Sequence, residues 1–110
     1  MSLELKKYFS DILTSISHIQ SFTSGIHSIN EYSSNLILKR AVERELEIIG
    51  EALNKSLSID GDLRVSNARK IINTRNRIIH GYDKVDDAVI WAVVIKHLPT
   101  LKSEVEILLK

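Results

Sequence analysis

The stretch Arg69-Lys70-Ile71-Ile72-Asn73-Thr74-Arg75-Asn76-Arg77-Ile78-Ile79-His80 decides between helix and strand for this chain. Isoleucine is enriched in strands, and this stretch is rich in it. The spacing argues the other way. The pairs Ile71/Ile72 and Ile78/Ile79 lie seven residues apart, which stacks them on one helical face, whereas a half-buried strand would alternate apolar and polar positions. The pattern predicts a helix from near Val65 to the breaking residue Gly81.

The same rhythm extends in both directions. Leu5, Phe9, Ile12, Leu13, Ile16, Ile19 and Phe22 trace an amphipathic helix that should stop near Ser24-Gly25, where glycine can take the left-handed conformation that ends helices. Residues 26–35 form a short polar stretch with room for one helical turn. A second long helix is predicted over residues 36–55, with Leu38, Val42, Leu46, Ile49 and Leu53 on one arc. Residues 58–63, with Asp60-Gly61, read as a loop. Beyond Gly81, Asp86 suits an N-cap, and Val85 can pack on Ile90 as a hydrophobic staple. Trp91, Val94, Leu98, Leu101, Val105 and Leu108 continue that helix, and Pro99 within it predicts a kink. The expected fold is all-α: an antiparallel four-helix bundle with a kinked last helix, residues 1–110 forming one domain.

Composition narrows the chemistry. The 110 residues are 44% hydrophobic and 26% charged, enough apolar material for one core. Cysteine is absent, which excludes disulfides, thiolate metal sites and a cysteine nucleophile. The longest unbroken apolar run, residues 88–95, is far short of the ~20 residues a membrane span needs. The first residues contain no apolar signal core, so a cytoplasmic protein with no membrane association is expected. The formal charge of +1 conceals an uneven distribution. Residues 40–63 are net acidic, whereas residues 64–84 carry Arg64, Arg69, Lys70, Arg75, Arg77 and Lys84 against Asp83 alone. A basic patch of that density suits phosphate, and equally suits a solvated helix face beside the acidic segment.

Within the basic segment Arg75 is anomalous. It lies about 40° from Ile71 in the middle of the apolar stripe, where a guanidinium needs an acidic partner, a cleft or an interface. Glu45, inside the apolar arc of the preceding helix, is one candidate partner. His80 comes five residues later, at a helix end, where cationic side chains are favoured. An Arg and a His so placed can perform phosphoryl chemistry without a metal. The Arg holds phosphate oxygens in a bidentate fork, and the His transfers protons.

Arg75-Asn76-x3-His80-x-Tyr82 resembles the Arg-x4-His-x-Tyr signature of HEPN-domain proteins, specifically the HepT-like toxins. Ala41-Val42-Glu43-Arg44-Glu45-Leu46-Glu47-Ile48-Ile49-Gly50-Glu51-Ala52 is similar to the acidic helix of that family. Val85-Asp86, Ile90-Trp91 and Leu98-Pro99-Thr100-Leu101 are similar to its last helix. The motifs span residues 41–109, and residues 1–40 match in helical character. Residues 58–64 depart from the pattern, lacking the proline and tryptophan often found there.

The resemblance implies a ribonuclease toxin of a type VII-like toxin–antitoxin pair, a helical homodimer that brings two Arg–His motifs into one basic cleft. Cleavage of RNA, tRNA or mRNA, would need no metal and no cofactor. Arg75 would stabilise charge on the phosphorane, His80 would act as general acid or base, and Asn76 would orient one of them or the phosphate. A minimal nucleotidyltransferase antitoxin would inactivate the toxin by adenylylating Tyr82. Two other readings use the same residues: a non-catalytic subunit presenting nucleotide or substrate to the nucleotidyltransferase, and a plain interaction bundle.

The remaining polar residues carry weaker signals. Arg77 and Lys70 are candidate contacts to RNA phosphate. His18, His27 and His97 lack metal-ligand spacing and read as surface histidines. Glu43, Glu47 and Glu51 repeat along one edge of the second helix, either solvated, facing a basic antitoxin surface, or paired with Arg69, Arg75 or Arg77. Trp91 and Tyr8 fit apolar stripes and are expected to be packing residues.

Overall fold

In the computed structural model, which describes residues 1–80 and 86–110, every regular element is helical. They are α1 (Leu3–Phe22), α2 (Ile29–Ser33), α3 (Leu36–Ile59), α4 (Ala68–His80), α5 (Asp87–Ala92), a π-helical turn (Val93–His97) and α6 (Leu98–Leu109). Val85 and its expected packing on Ile90 lie outside the described residues. Helix starts follow the local sequence closely. The side chains of Ser2, Ser28, Asn35 and Asp86 each accept a backbone N–H of the first turn that would otherwise lack a partner.

Three boundaries differ from the predicted ones, each for a visible reason. Helix α1 ends at Phe22 because the Thr23 hydroxyl and backbone N–H both bond the Ile19 carbonyl, before Gly25 is reached. Helix α3 runs on to Ile59, where the buried Ser56 hydroxyl folds back onto the Ala52 carbonyl at 2.7 Å and Leu57 packs against the core. Helix α4 starts at Ala68 and not near Val65. Val65 is used for packing, the Ser66 backbone N–H and hydroxyl are held by the Glu104 carboxylate of α6, and Asn67 adopts φ 62°. Asparagine is one of the few non-glycine residues that enters this region readily.

The expected kink takes a specific form. Pro99 has no N–H to give Ile95, and its ring would crowd that carbonyl in a regular α-helix. The preceding turn widens instead, with the Leu98 N–H bonding the Val93 carbonyl five residues back. Helices α5 and α6 with this turn act as one bent element, so α1, α3, α4 and the bent helix are the four principal members of an all-α bundle.

Helices α1 and α3 pack along their lengths, α4 packs on α3, and α6 closes over α1. Phe9, Ile12, Ile16 and Ile19 meet Leu46, Ile49 and Leu53, with Ile71, Ile90, Leu98 and Leu101 completing a core of fully buried side chains. Tyr32 inserts from α2 and stacks on Trp91, ring centroids 5.4 Å apart, so Trp91 is the packing residue the sequence suggests. Burial, with Glu43 and Asp87 nearby, pushes the Tyr32 phenol well above its usual range and keeps it protonated. Among the described residues no helix is long and apolar enough to cross a membrane.

Two polar features are built into this packing. Glu45 is buried, yet it faces α1 and not α4. Its carboxylate accepts from the Ser15 hydroxyl at 3.4 Å and bonds Nδ1 of His18, whose ring also stacks on Phe22. His18 is exposed, as expected, and its Nδ1 also has a partner in Glu45. The second feature is the crossing of α3 and α4 at Gly50. A Cβ added there would lie 2.3 Å from Cβ of Arg75, an atom fixed by its own backbone. Only glycine permits this approach, which explains its place inside a helix where it costs about 1 kcal/mol relative to alanine.

Gly50→Ala should force the two helices apart and cost about 1–3 kcal/mol, seen as a lower urea midpoint. Gly25→Ala, with open space around position 25, should leave the midpoint unchanged. Similarly, His18→Ala removes one of the two partners of the buried Glu45 carboxylate and should cost about 1 kcal/mol, whereas His27→Ala at an exposed position should change stability little.

Candidate active site

The residues that matter most are arranged around α4. Arg75 lies on the face toward α3, with its side chain 23% exposed. Its Nη2 donates to Glu51 Oε2 at 2.5 Å, and its Nη1 donates to Asn76 Oδ1 at 3.0 Å. The buried Nε has no partner among the described residues. Arg75 thus meets the requirement read from its place in an apolar stripe, but its partner is Glu51 and not Glu45. The pair follows from the Gly50 crossing, because the residue after the point of closest approach lies beside Arg75. Two of the guanidinium donors are taken by Glu51 and Asn76, leaving a further N–H on each Nη for an anion.

Arg75 also forms part of the wall of a cleft of about 280 Å³ between α1, α3 and α4. Tyr8 and Asp11 come from α1, and Ile79 stands one turn beyond Arg75 on α4. The floor is α3, with Arg44, Glu47, Ile48, Glu51, Ala52 and Lys55. The three acidic and three basic side chains of this lining cancel in formal charge. Tyr8 is half-buried and packed against the core, as expected, but it also presents its ring to the cleft, with the ammonium groups of Lys7 and Lys55 at 5.8 and 5.9 Å from the ring centroid.

The other candidates occupy a different face. At about 100° per residue, His80 is turned about 140° from Arg75 around the α4 axis, and only about 60° from Arg77 and 80° from Lys70. His80, Arg77 and Lys70 are all exposed, and His80 is the last residue of α4. Within one chain, then, the helix presents Arg75 toward α3 and gathers His80 with the exposed cations, while Asn76, about 100° from Arg75 and 40° from His80, lies between them. Tyr82 lies outside the described residues. His97, on the π-helical turn, is partly buried, and burial followed by the charges of Lys70 and Lys96 lowers its pKa. It stands close to the basic face of α4, apart from the cleft.

The acidic edge of α3 is less solvated than its spacing suggests. Glu43 pairs with Arg40 at 3.4 Å, Glu47 with Arg44 at 3.1 Å, and Glu51 with both Arg75 and Lys55. Only Glu51 reaches α4. Spacing alone offered it as one of several partners for Arg69, Arg75 or Arg77, and the one signal that singled out its neighbourhood was a glycine inside a strong helix. Among the described residues no group of three or more His, Asp or Glu side chains is placed to hold a metal ion.

The sequence matches the family model described as ribonuclease HepT-like over residues 12–108, a span that extends well beyond the motifs into α1. It is 36% identical over 108 residues to a Methanocaldococcus jannaschii protein named as a putative RNase, covering 94% of this chain and 95% of that one. It is 35% identical over 109 residues to a Thermococcus cleftensis protein named probable ribonuclease HepT, covering 96% of each. No solved structure matches. With the bundle, the motif residues on α4 and a match across almost the whole chain in agreement, this protein belongs to the HepT-like ribonuclease family.

Proposed function

We propose that this chain is an endoribonuclease toxin that cleaves RNA without a metal, using Arg75, Asn76 and His80. Family membership supports the reaction class, and one observation carries the assignment of residues. Arg75 is a half-buried guanidinium, oriented by Glu51 and Asn76 and retaining free donors beside an open cleft. A structural ion pair needs no cleft. A phosphate ligand does.

In the proposed reaction the ribose 2′-oxygen attacks the adjacent phosphorus, the bond from phosphorus to the 5′-oxygen breaks, and a 2′,3′-cyclic phosphate remains. Charge accumulates on the phosphorane oxygens, where the Arg75 fork stabilises it. His80 moves a proton, either from the 2′-hydroxyl or to the leaving oxygen. Lys70 and Arg77, on the same side of α4 as His80, hold flanking phosphates. Because Arg75 and His80 sit on different faces of one helix, a homodimer is the arrangement in which the motif residues of two copies complete each other. The chain acts as one domain in the cytoplasm. Its antitoxin is a minimal nucleotidyltransferase that adenylylates Tyr82, adding negative charge and bulk two residues from His80. Glu51 is a positioning residue, acting only through Arg75.

Arg75→Ala and His80→Ala should each abolish RNA cleavage by the purified chain while the helical CD spectrum and oligomeric state persist. Wild-type cleavage rates in either variant would refute the assignment. Glu51→Gln keeps the shape of the site but weakens the hold on the guanidinium, so kcat/KM should fall about 10–100-fold with CD unchanged. Co-expression with the nucleotidyltransferase should add one AMP, detected by mass spectrometry and absent in Tyr82→Phe. Inactivity of the wild type on every RNA, together with AMP on Tyr82, would favour a non-catalytic partner subunit.

A further inference from the structure

The cleft beside Arg75 differs chemically from the basic face of α4. A polyanion follows unbalanced positive charge, which Lys70, Arg77 and their neighbours supply. The cleft has no such excess, because its acidic and basic side chains cancel, and Tyr8, Ile48 and Ile79 give it apolar and aromatic walls. Its volume, about 280 Å³, sits near the lower end of the ~300–1,000 Å³ of small-ligand sites. Away from Arg75, the one lining cation assigned to phosphate, a neutral, planar group with a polar edge fits this combination better than a run of phosphates does.

We propose that this cleft is a base-specificity subsite that seats a guanine of the RNA, stacked on Tyr8 and read by Asp11 and Arg44. The setting rests on the ribonuclease reading, since it places the base beside the phosphate held by Arg75. Tyr8 and Asp11 are three residues apart on α1 and therefore neighbours on one helical face. Among the three carboxylates of the cleft, Glu51 is tied to Arg75 and Glu47 to Arg44. Asp11 is paired with Lys7, whose side chain is 71% exposed, at 3.1 Å. Such an exposed pair contributes little and yields readily to a better donor. Guanine alone among the common bases offers two adjacent donors, N1–H and the N2 amino group, to one carboxylate. Its other edge presents O6 and N7, the acceptors that an arginine fork matches. Arg44, 71% exposed, is held by its surface pair with Glu47, which like the Lys7–Asp11 pair contributes little and can be exchanged for that edge. Adenine lacks the paired donors, and pyrimidines lack both N7 and the stacking area.

The test is an NMR titration of the full-length chain in its natural oligomeric state with guanosine 5′-monophosphate, adenosine 5′-monophosphate and ribose 5-phosphate. The guanine nucleotide should shift the amide signals of Tyr8, Asp11, Arg44 and Ile79, and bind about tenfold or more tightly than the adenine nucleotide. Tyr8→Ala should weaken that binding about tenfold, in line with the loss of base–aromatic stacking. Asp11→Asn should remove the preference for guanine over adenine, and His27→Ala, at an exposed position outside the cleft lining, should leave binding intact. Equal affinity for the two nucleotides overturns the guanine assignment. Equal perturbation by ribose 5-phosphate, or no perturbation of the cleft at millimolar nucleotide, overturns the subsite itself. RNA cleavage without nucleotide binding would remove the subsite and leave the ribonuclease. Nucleotide binding without cleavage would do the reverse.

Discussion

Helix α4 lies where it does because position 50 has no side chain. The approach of α3 to Arg75 at Gly50 is closer than any other residue would allow. From it follow the meeting of Arg75 with Glu51, the withdrawal of a guanidinium from an apolar stripe without leaving it unpaired, and the opening of a cleft between the two helices and α1. Without that contact α4 would still be a helix, with Ile71 and Ile72 to bury. It would not hold Arg75 in a defined orientation. The glycine thus exchanges some helix stability for the position of one side chain, a local inconsistency of the sort that functional sites often carry.

The bundle separates two kinds of surface on a short stretch of chain. One side of α4 is cationic and exposed, and near it the π-helical turn brings His97 into the field of Lys70 and Lys96. The other side faces a cleft in which charges are matched and apolar and aromatic walls are available. Phosphate and base make different demands, the first for net charge and the second for flat apolar contact with directed hydrogen bonds. On the proposed reading a single amphipathic helix would serve both, because its faces are buried to different degrees.

Much of this was legible in residue spacing. The isoleucine pairs marked α4 as a helix, Asp86 marked the start of α5, and Pro99 marked the disturbance in the last helix. The form of that disturbance, a π-helical turn ahead of the proline, depends on how the chain satisfies its carbonyls after losing one donor. Helix α4 starts later than the spacing suggests because Val65 and Ser66 serve contacts with the core and with Glu104, thirty-eight residues from Ser66. Local propensity contains no record of such a partner. His18 is exposed, as its spacing suggests, but its partner Glu45 lies on another helix and is equally invisible to local sequence.

The amino-acid sequence by itself determined the all-helical class, the apolar stripes, the motif Arg75-Asn76-x3-His80-x-Tyr82 and the need of Arg75 for a partner. These depend on spacing within a turn or two, which a linear pattern contains. Tertiary structure alone decided which carboxylate answers that need. Glu45 and Glu51 are six residues apart, so they point about 120° apart around α3, and one packing arrangement cannot turn both toward α4. The close crossing at Gly50 gives Glu51 to Arg75 and leaves Glu45 to Ser15 and His18 on α1. The rotation of one helix against two neighbours is set by the whole core, and only the packed bundle expresses it.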